Sequence, residues 1–272
     1  MLFKINLTLL TALLISIIFC GCIVDNLDNN DLSHNETKVN DDNISIAIWN
    51  LQIFGLSKAS NETLLNYYTE KLDKYDIFII QEIRDSSGNA IEILAERFPD
   101  YKYIISNRAG QSSSKEQYAI FYTEKATLID FYDYQAEYQQ DLQRPPLKTT
   151  FISHNWTFTI FTIHTQPDSV PGELSILEDI IGNPLGDTII LGDLNADGSY
   201  YDENNIVHFI SWNWVVTNNI DTTVAKSDNT YDRIIINRAT ENNFHSIGVM
   251  DDVTSDQSDH YLIYAIFTND KQ

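Results

Sequence analysis

The chain has 272 residues, enough for one large domain or two small ones, and a formal net charge of −22 at pH 7. A general nucleic-acid binder is usually basic, so this balance argues against a tight, non-catalytic DNA-binding module. It leaves room for an enzyme that holds phosphate through a metal ion and a few local cations.

The first residues predict export. Lys4 is followed by a mostly apolar stretch over 5–19 and then Cys20-Gly21-Cys22. The stretch is short for a membrane-spanning helix, and residues 1–22 read as a signal peptide. Gly21 before Cys22 resembles a lipoprotein cleavage site, at which Cys22 becomes the lipidated N-terminus; an uncleaved anchor or an ordinary signal is the alternative. Residues 23–43 are rich in Asp and Asn, with almost no large apolar group after Val24. Such a segment cannot bury enough surface to offset ordering, which predicts a flexible acidic stalk and a folded domain over 44–272. The protein is then extracellular or held on the outer face of the cell membrane. Both cysteines lie in the signal region, so the expected domain has no disulfide and relies on an ordinary core.

Strand-like runs follow at 44–49, 77–80, 118–122, 158–163, 188–191, 233–236 and 261–267. Helical periodicity is expected over 61–74, with Leu64, Leu65, Tyr68 and Leu72 on one face, and shorter helices over 89–98 and 173–181. Trp212, Trp214 and Tyr200 are expected in the core or at its rim. The mixture predicts an α/β or α+β domain with layered sheets.

The run at 188–191 ends in Gly192-Asp193-Leu194-Asn195-Ala196-Asp197, a buried strand that delivers acid and amide groups to a sheet edge. Such oxygens are hard ligands, suited to Mg²⁺ or Ca²⁺. Ser258-Asp259-His260 repeats the pattern before the last run. Asn50 and Glu82 follow the first two strands, Glu116 precedes the third, His164 follows the fourth, and Asp232 precedes another. Taken singly, each has a plain structural reading. Asn50, Asp193 and Asp197 can form turns, His164 and His260 can be hydrogen-bonded structural residues, Arg144 can be a loop residue, and Glu116 can be one solvated acid among many. Their joint order at strand ends is what points to a site.

In that order, the segments Trp49-Asn50-Leu51-Gln52-Ile53-Phe54-Gly55, Gln81-Glu82-Ile83-Arg84-Asp85-Ser86 and Ser114-Lys115-Glu116-Gln117-Tyr118 resemble the endonuclease/exonuclease/phosphatase superfamily, and within it the deoxyribonuclease I-like branch. So do Arg144-Pro145-Pro146, His164, residues 192–197 with Ser199-Tyr200, Tyr231-Asp232-Arg233 and Ser258-Asp259-His260-Tyr261. The resemblance implies a four-layer sandwich, two packed mixed β-sheets flanked by helices. It implies Mg²⁺-dependent hydrolysis of DNA by a monomer with no obligate protein partner, Mn²⁺ being able to substitute. Glu82 is then the principal metal ligand, with Asn50, Asp259 and Asp193. Asp193 and Asn195 position metal, phosphate or water. His260, oriented by Asp232, is the general base, and His164, held by Glu116, serves the leaving oxygen. Arg144 contacts phosphate and Arg84 the DNA. Asp221 and Thr223 match a structural Ca²⁺ segment. Two positions depart from the pattern: Gly198 replaces a disulfide cysteine whose partner is also missing, and Ser114 replaces an aromatic DNA contact. Two other functions remain open on this sequence: a phosphodiesterase or phosphatase acting on lipid or inositol headgroups, and a surface binding protein without turnover.

Overall fold

The computed structural model describes residues 42–269; the expected signal peptide and residues 23–41 of the expected stalk lie outside the described residues. Two six-stranded sheets form the body. In the first, the spatial order is β11 (Phe244–Met250), β12 (Leu262–Thr268), β1 (Asn43–Phe54), β2 (Ile77–Ile83), β4 (Gln117–Tyr122) and β3 (Lys102–Ile105). In the second it is β5 (Thr127–Asp133), β6 (Leu147–Ser153), β7 (Trp156–Thr162), β8 (Asp187–Asp193), β10 (Asp232–Ile236) and β9 (Asn213–Trp214). Both sheets are mixed, with β1–β2 and β7–β8 the parallel pairs. The helices are α1 (Leu56–Ala59), α2 (Glu62–Leu72), α3 (Asn89–Ala95), α4 (Gln135–Tyr138) and α5 (Val170–Ile181).

The cores explain the sequence pattern. Ile44, Ile46, Ile48, Ile77 and Ile79 of the first sheet pack against Phe158, Ile160, Ile189, Leu191 and Ile234 of the second. The alternate residues Ala47, Trp49, Phe78 and Ile80 turn outward beneath α2 and α3. On the far side, Phe161, Ile190 and Ile235 lie beneath α5 through Leu174 and Leu177. This is the expected four-layer sandwich. A central strand covered on both faces has no polar face to alternate with, so it reads as an unbroken apolar run.

The three expected helices are present with shifted ends. The Asn61 side chain accepts from the Thr63 and Leu64 amides and starts α2. Leu65, Tyr68 and Leu72 are buried as expected, but Leu64 is only half-buried, and Lys71 lies on the inner face with its ammonium on Asp252. Helix α5 begins earlier than expected, with Pro171 in its first turn. Five strands lie outside the expected runs: β3, β5, β6, β9 and β11. Edge strand β5 shows why, since it exposes Ile129 and Phe131 beside Asp130 and Asp133 and has no apolar run. Among the described residues, no helix is long and apolar enough to cross a membrane.

Register brings the polar strand ends to one edge. Asn50 of β1 lies opposite Gln81 of β2, and Asp193 of β8 lies opposite Asp232 of β10. The ladder between β1 and β2 then slips between Asn50 and Phe54. Gln52, Ile53 and Glu82 adopt left-handed backbone there, with φ of 42°, 54° and 61°. Such values are uncommon for residues with a side chain, and they re-aim the Glu82 carboxylate.

Candidate active site

Two imidazoles converge on one carboxylate. His164 Nε2 lies 3.3 Å and His260 Nε2 3.4 Å from Asp193 Oδ2. Behind each ring stands a second acid: His164 Nδ1 is 2.6 Å from Glu116 Oε1, and His260 Nδ1 is 2.7 Å from Asp232 Oδ2. Glu116, Asp193 and Asp232 are all buried. A carboxylate on Nδ1 fixes the tautomer and leaves Nε2 as the atom that exchanges protons.

The Asn50 amide closes the arrangement, 3.1 Å from Asp193 Oδ2 and 3.3 Å from Glu82 Oε1. Glu82 Oε2 accepts from the Ile53 amide at 2.8 Å and meets Arg84 Nη2 at 3.0 Å. Arg84 also reaches Glu116 at 3.4 Å. Arg144 donates through Nε to the His164 carbonyl at 2.7 Å and through Nη2 to the Thr165 carbonyl at 2.5 Å, and lies 3.3 Å from Glu116. Asn195, at φ 46°, donates to the Thr165 carbonyl at 3.0 Å. Asp259 is half-exposed at the rim, 3.8 Å from His260 Nε2.

The expected site residues therefore meet: Asn50, Glu82, Arg84, Glu116, Arg144, His164, Asp193, Asn195, Asp232, Asp259 and His260 gather at one end of the two sheets. Asp221 and Thr223 stand behind it. Thr223 pairs with the backbone of His260, and Asp221 Oδ1 accepts from the amides of Thr223 at 3.0 Å and Asn229 at 3.1 Å, closing its own loop.

Charge sharing sets the protonation. Burial by itself would lower the His260 imidazolium, but Asp232 and Asp193 outweigh it and hold it up at about 10. Burial pushes Asp193 up, and His260, His164 and Arg144 overcome this and hold it below the usual carboxylate range. Glu116 is likewise held low, with His164, Arg144 and Arg84 opposing its burial. Asp232 is pushed up by burial, in spite of His260.

Two triads could offer a metal three ligand atoms within 4.8 Å of one another: Glu82, Glu116 and His164, and Asp193, Asp232 and His260. In both, the imidazole is hydrogen-bonded through Nδ1 to one of the acids, which leaves Nε2 and the other carboxylate oxygens as donors. Beside them, Asn50 turns its Nδ2 toward Glu82 and Asp193 while its Oδ1 accepts from the Gln52 amide at 2.9 Å, so the oxygens free for a hard cation such as Mg²⁺ are carboxylate ones.

Several supporting residues escaped sequence reasoning. Buried Gln81 accepts from the Asp193 amide at 2.9 Å and donates to the Ile163 carbonyl at 2.9 Å, which ties the two sheets together under the site. Its signal was visible: a lone amide in an otherwise apolar run. Tyr118 Oη accepts from the His164 amide at 2.9 Å. Lys58 Nζ donates to the carbonyls of Leu51 and Gln257, both at 2.9 Å, and so joins the loop after Asn50 to the loop before His260. No pattern in the sequence marks Lys58.

The sequence profile of the Endonuclease/Exonuclease/phosphatase family matches residues 47–260. The chain is 30% identical to Deoxyribonuclease-1 of Bos taurus over 216 residues, 71% of this chain and 77% of that one. It is 29% identical to the Homo sapiens Deoxyribonuclease-1 over 255 residues, 81% of this chain and 90% of that one. Among solved structures, a humanized D. rerio TDP2 superposes with a TM-score of 0.63 at 14% identity, over 84% of this chain and 99% of that one. A mannosyl-6-phosphatase from Bacteroides thetaiotaomicron superposes at 0.59 with 16% identity, over 82% and 98%.

Proposed function

The chain belongs to the endonuclease/exonuclease/phosphatase family, and on that premise we propose that it is an exported, Mg²⁺-dependent endonuclease that hydrolyses DNA phosphodiesters. The observation that carries this reading is the pair of carboxylate-backed imidazoles whose Nε2 atoms both address Asp193. One proton must leave the attacking water and one must reach the leaving oxygen, and two such histidines supply both transfers. DNA is preferred to a lipid or sugar phosphate because the relatives matched over most of the chain are deoxyribonucleases.

His260, oriented by Asp232, takes the proton from water at Nε2. His164, oriented by Glu116, gives one at Nε2. Asp193 and Asn195 position the reacting groups, while Arg144 and Arg84 face the negative charge of the substrate. Glu82, Asn50, Asp193 and Asp259 would hold the divalent cation, which would supply positive charge opposite the phosphate and offset the acids that keep the proton on His260. A structural Ca²⁺ at Asp221 and Thr223 belongs to the same reading.

Purified protein should nick supercoiled plasmid with Mg²⁺ and Ca²⁺ present and lose that activity in chelator. Turnover of sphingomyelin or inositol phosphates but not DNA would replace this reading with the headgroup alternative. Glu82→Gln should lower activity by about 10²-fold or more with the fold intact, since it removes a metal charge contact. Mn²⁺ binding followed by electron paramagnetic resonance should weaken in parallel; unchanged affinity would remove Glu82 from the ligand set.

A further inference from the structure

One buried acid near the site has no part in the scheme above. Glu173 lies in the first turn of α5 and is 3% exposed. Its Oε1 accepts from the Gln143 amide at 2.8 Å, and its Oε2 accepts from the Gln166 amide at 2.9 Å. Gln143 precedes Arg144, and Gln166 comes two residues after His164. Arg144 in turn donates to the His164 and Thr165 carbonyls, at 2.7 and 2.5 Å. The contacts close a ring that runs from Glu173 through Gln143, Arg144, His164, Thr165 and Gln166 back to Glu173.

The ring is braced on its far side. Tyr118 Oη accepts from the His164 amide at 2.9 Å and donates to the Arg144 carbonyl at 3.1 Å. Thr165 donates to the Leu194 carbonyl at 2.6 Å, which couples the ring to the Asp193–Asn195 turn. Arg144 and His164 belong to separate loops, and of the two the His164 loop is also tied by the Thr165 amide to the Asp193 carbonyl at 3.1 Å. A carboxylate accepts two amides with fixed spacing in a way no apolar side chain can. Burying it is costly, and a core position under α5 filled only for stability would favour an aliphatic residue. Burial pushes its carboxyl up, while the two amides, Arg144 and His164 pull the other way.

We propose that Glu173 is a positioning residue for phosphodiester cleavage: its two oxygens fix the distance between the Arg144 guanidinium and the His164 imidazole, so that phosphate and leaving oxygen are met together. This rests on the function proposed above. Glu173→Gln keeps size and shape but turns an N–H donor toward one of the two amides. It should lower kcat/KM by about 10- to 100-fold, the scale of a misplaced catalytic group. In an Arg144→Ala background the same substitution should cost less than about three-fold, because the two residues act through one another. Equal costs in both backgrounds would overturn the proposal. Leu177→Ala, in the same helix, should lower Tm and leave kcat/KM unchanged, which separates positioning from general loosening.

A second readout does not depend on turnover. In Glu173→Gln, exchange of the Gln143 and Gln166 amide protons should accelerate together, and the His164 Nδ1 proton resonance should shift. An unmoved His164 signal would also overturn the proposal. If the wild-type protein cleaves no phosphodiester, the functional reading fails while this measurement still decides the role of Glu173.

Discussion

Replacing His260 by alanine is expected to lower kcat by about 10²–10⁴-fold without unfolding the protein, the usual worth of a positioned acid–base group. His164→Ala should do the same. The double variant should fall little further than the worse single one, because the two imidazoles, with Nε2 3.3 and 3.4 Å from Asp193 Oδ2, take one proton and give another in the same step. Steady-state rates on plasmid DNA for the three variants decide this. Full multiplicative loss would mean that the two imidazoles work on separate steps.

The same substitution has a signature in stability. Asp232 and Asp193 hold the folded-state His260 at about 10, against an ordinary value of 6.5, even though burial opposes them. A group raised in the folded state contributes stability that is fully present below its unfolded value and is lost as pH rises through its folded value. The gap between wild type and His260→Ala should therefore be widest below pH 6.5 and close as pH passes about 10. Urea melts at the two ends of that window measure it, and a gap that widens with pH would contradict the charge arrangement.

The second large effect is expected from one methyl group. A Cβ on Gly192 would lie 1.8 Å from the Ile163 carbonyl oxygen and 2.9 Å from Gln81 Nε2. The first neighbour is backbone and cannot rotate away. Strand β8 would have to move off the end of β7, and Asp193 would move with it. Gly192→Ala should cost about 3 kcal/mol or more, at the upper end of overpacking penalties. At roughly 2–4 °C per kcal/mol for a domain of this size, Tm should drop by roughly 6–12 °C. Activity should fall as well, since Asp193 would lose its distance to both imidazoles. Gly186→Ala, where an added Cβ meets nothing within 4 Å, should show neither effect. Equal melting of the two variants by differential scanning calorimetry would show that the close approach is not tight.

The residues of the cleft were legible because each sits where an apolar run stops. Ile189, Ile190 and Leu191 announce a strand, and Asp193 must then lie at its end; the same holds for Glu82 after Ile80 and His164 after Ile163. What was hidden depends on through-space partners. Edge strands β5 and β11 are half-exposed, so their composition resembles loops. Periodicity puts Leu64 on the inner face of α2, where it packs half-buried against the core, but it gives no sign that Lys71 lies on that face with Asp252 at its tip. In the sequence Glu173 marks only the start of a helix, because nothing in its neighbours tells that Gln143 and Gln166 meet it. The oxygen-rich donor set is visible in the sequence, but the turn of the Asn50 amide toward Glu82 and Asp193 is visible only in the fold.

Gln52, Ile53, Glu82 and Asn195, all carrying side chains at φ between 42° and 61°, gather at this one cleft. Each is held in a backbone state worth of order 1–3 kcal/mol of strain. Glycine would relax these positions, but at 82 it would delete the carboxylate and at 195 the amide. Robustness and turnover thus oppose each other along one short seam of the molecule. Variants selected for heat resistance should collect their changes elsewhere and leave this seam as it is.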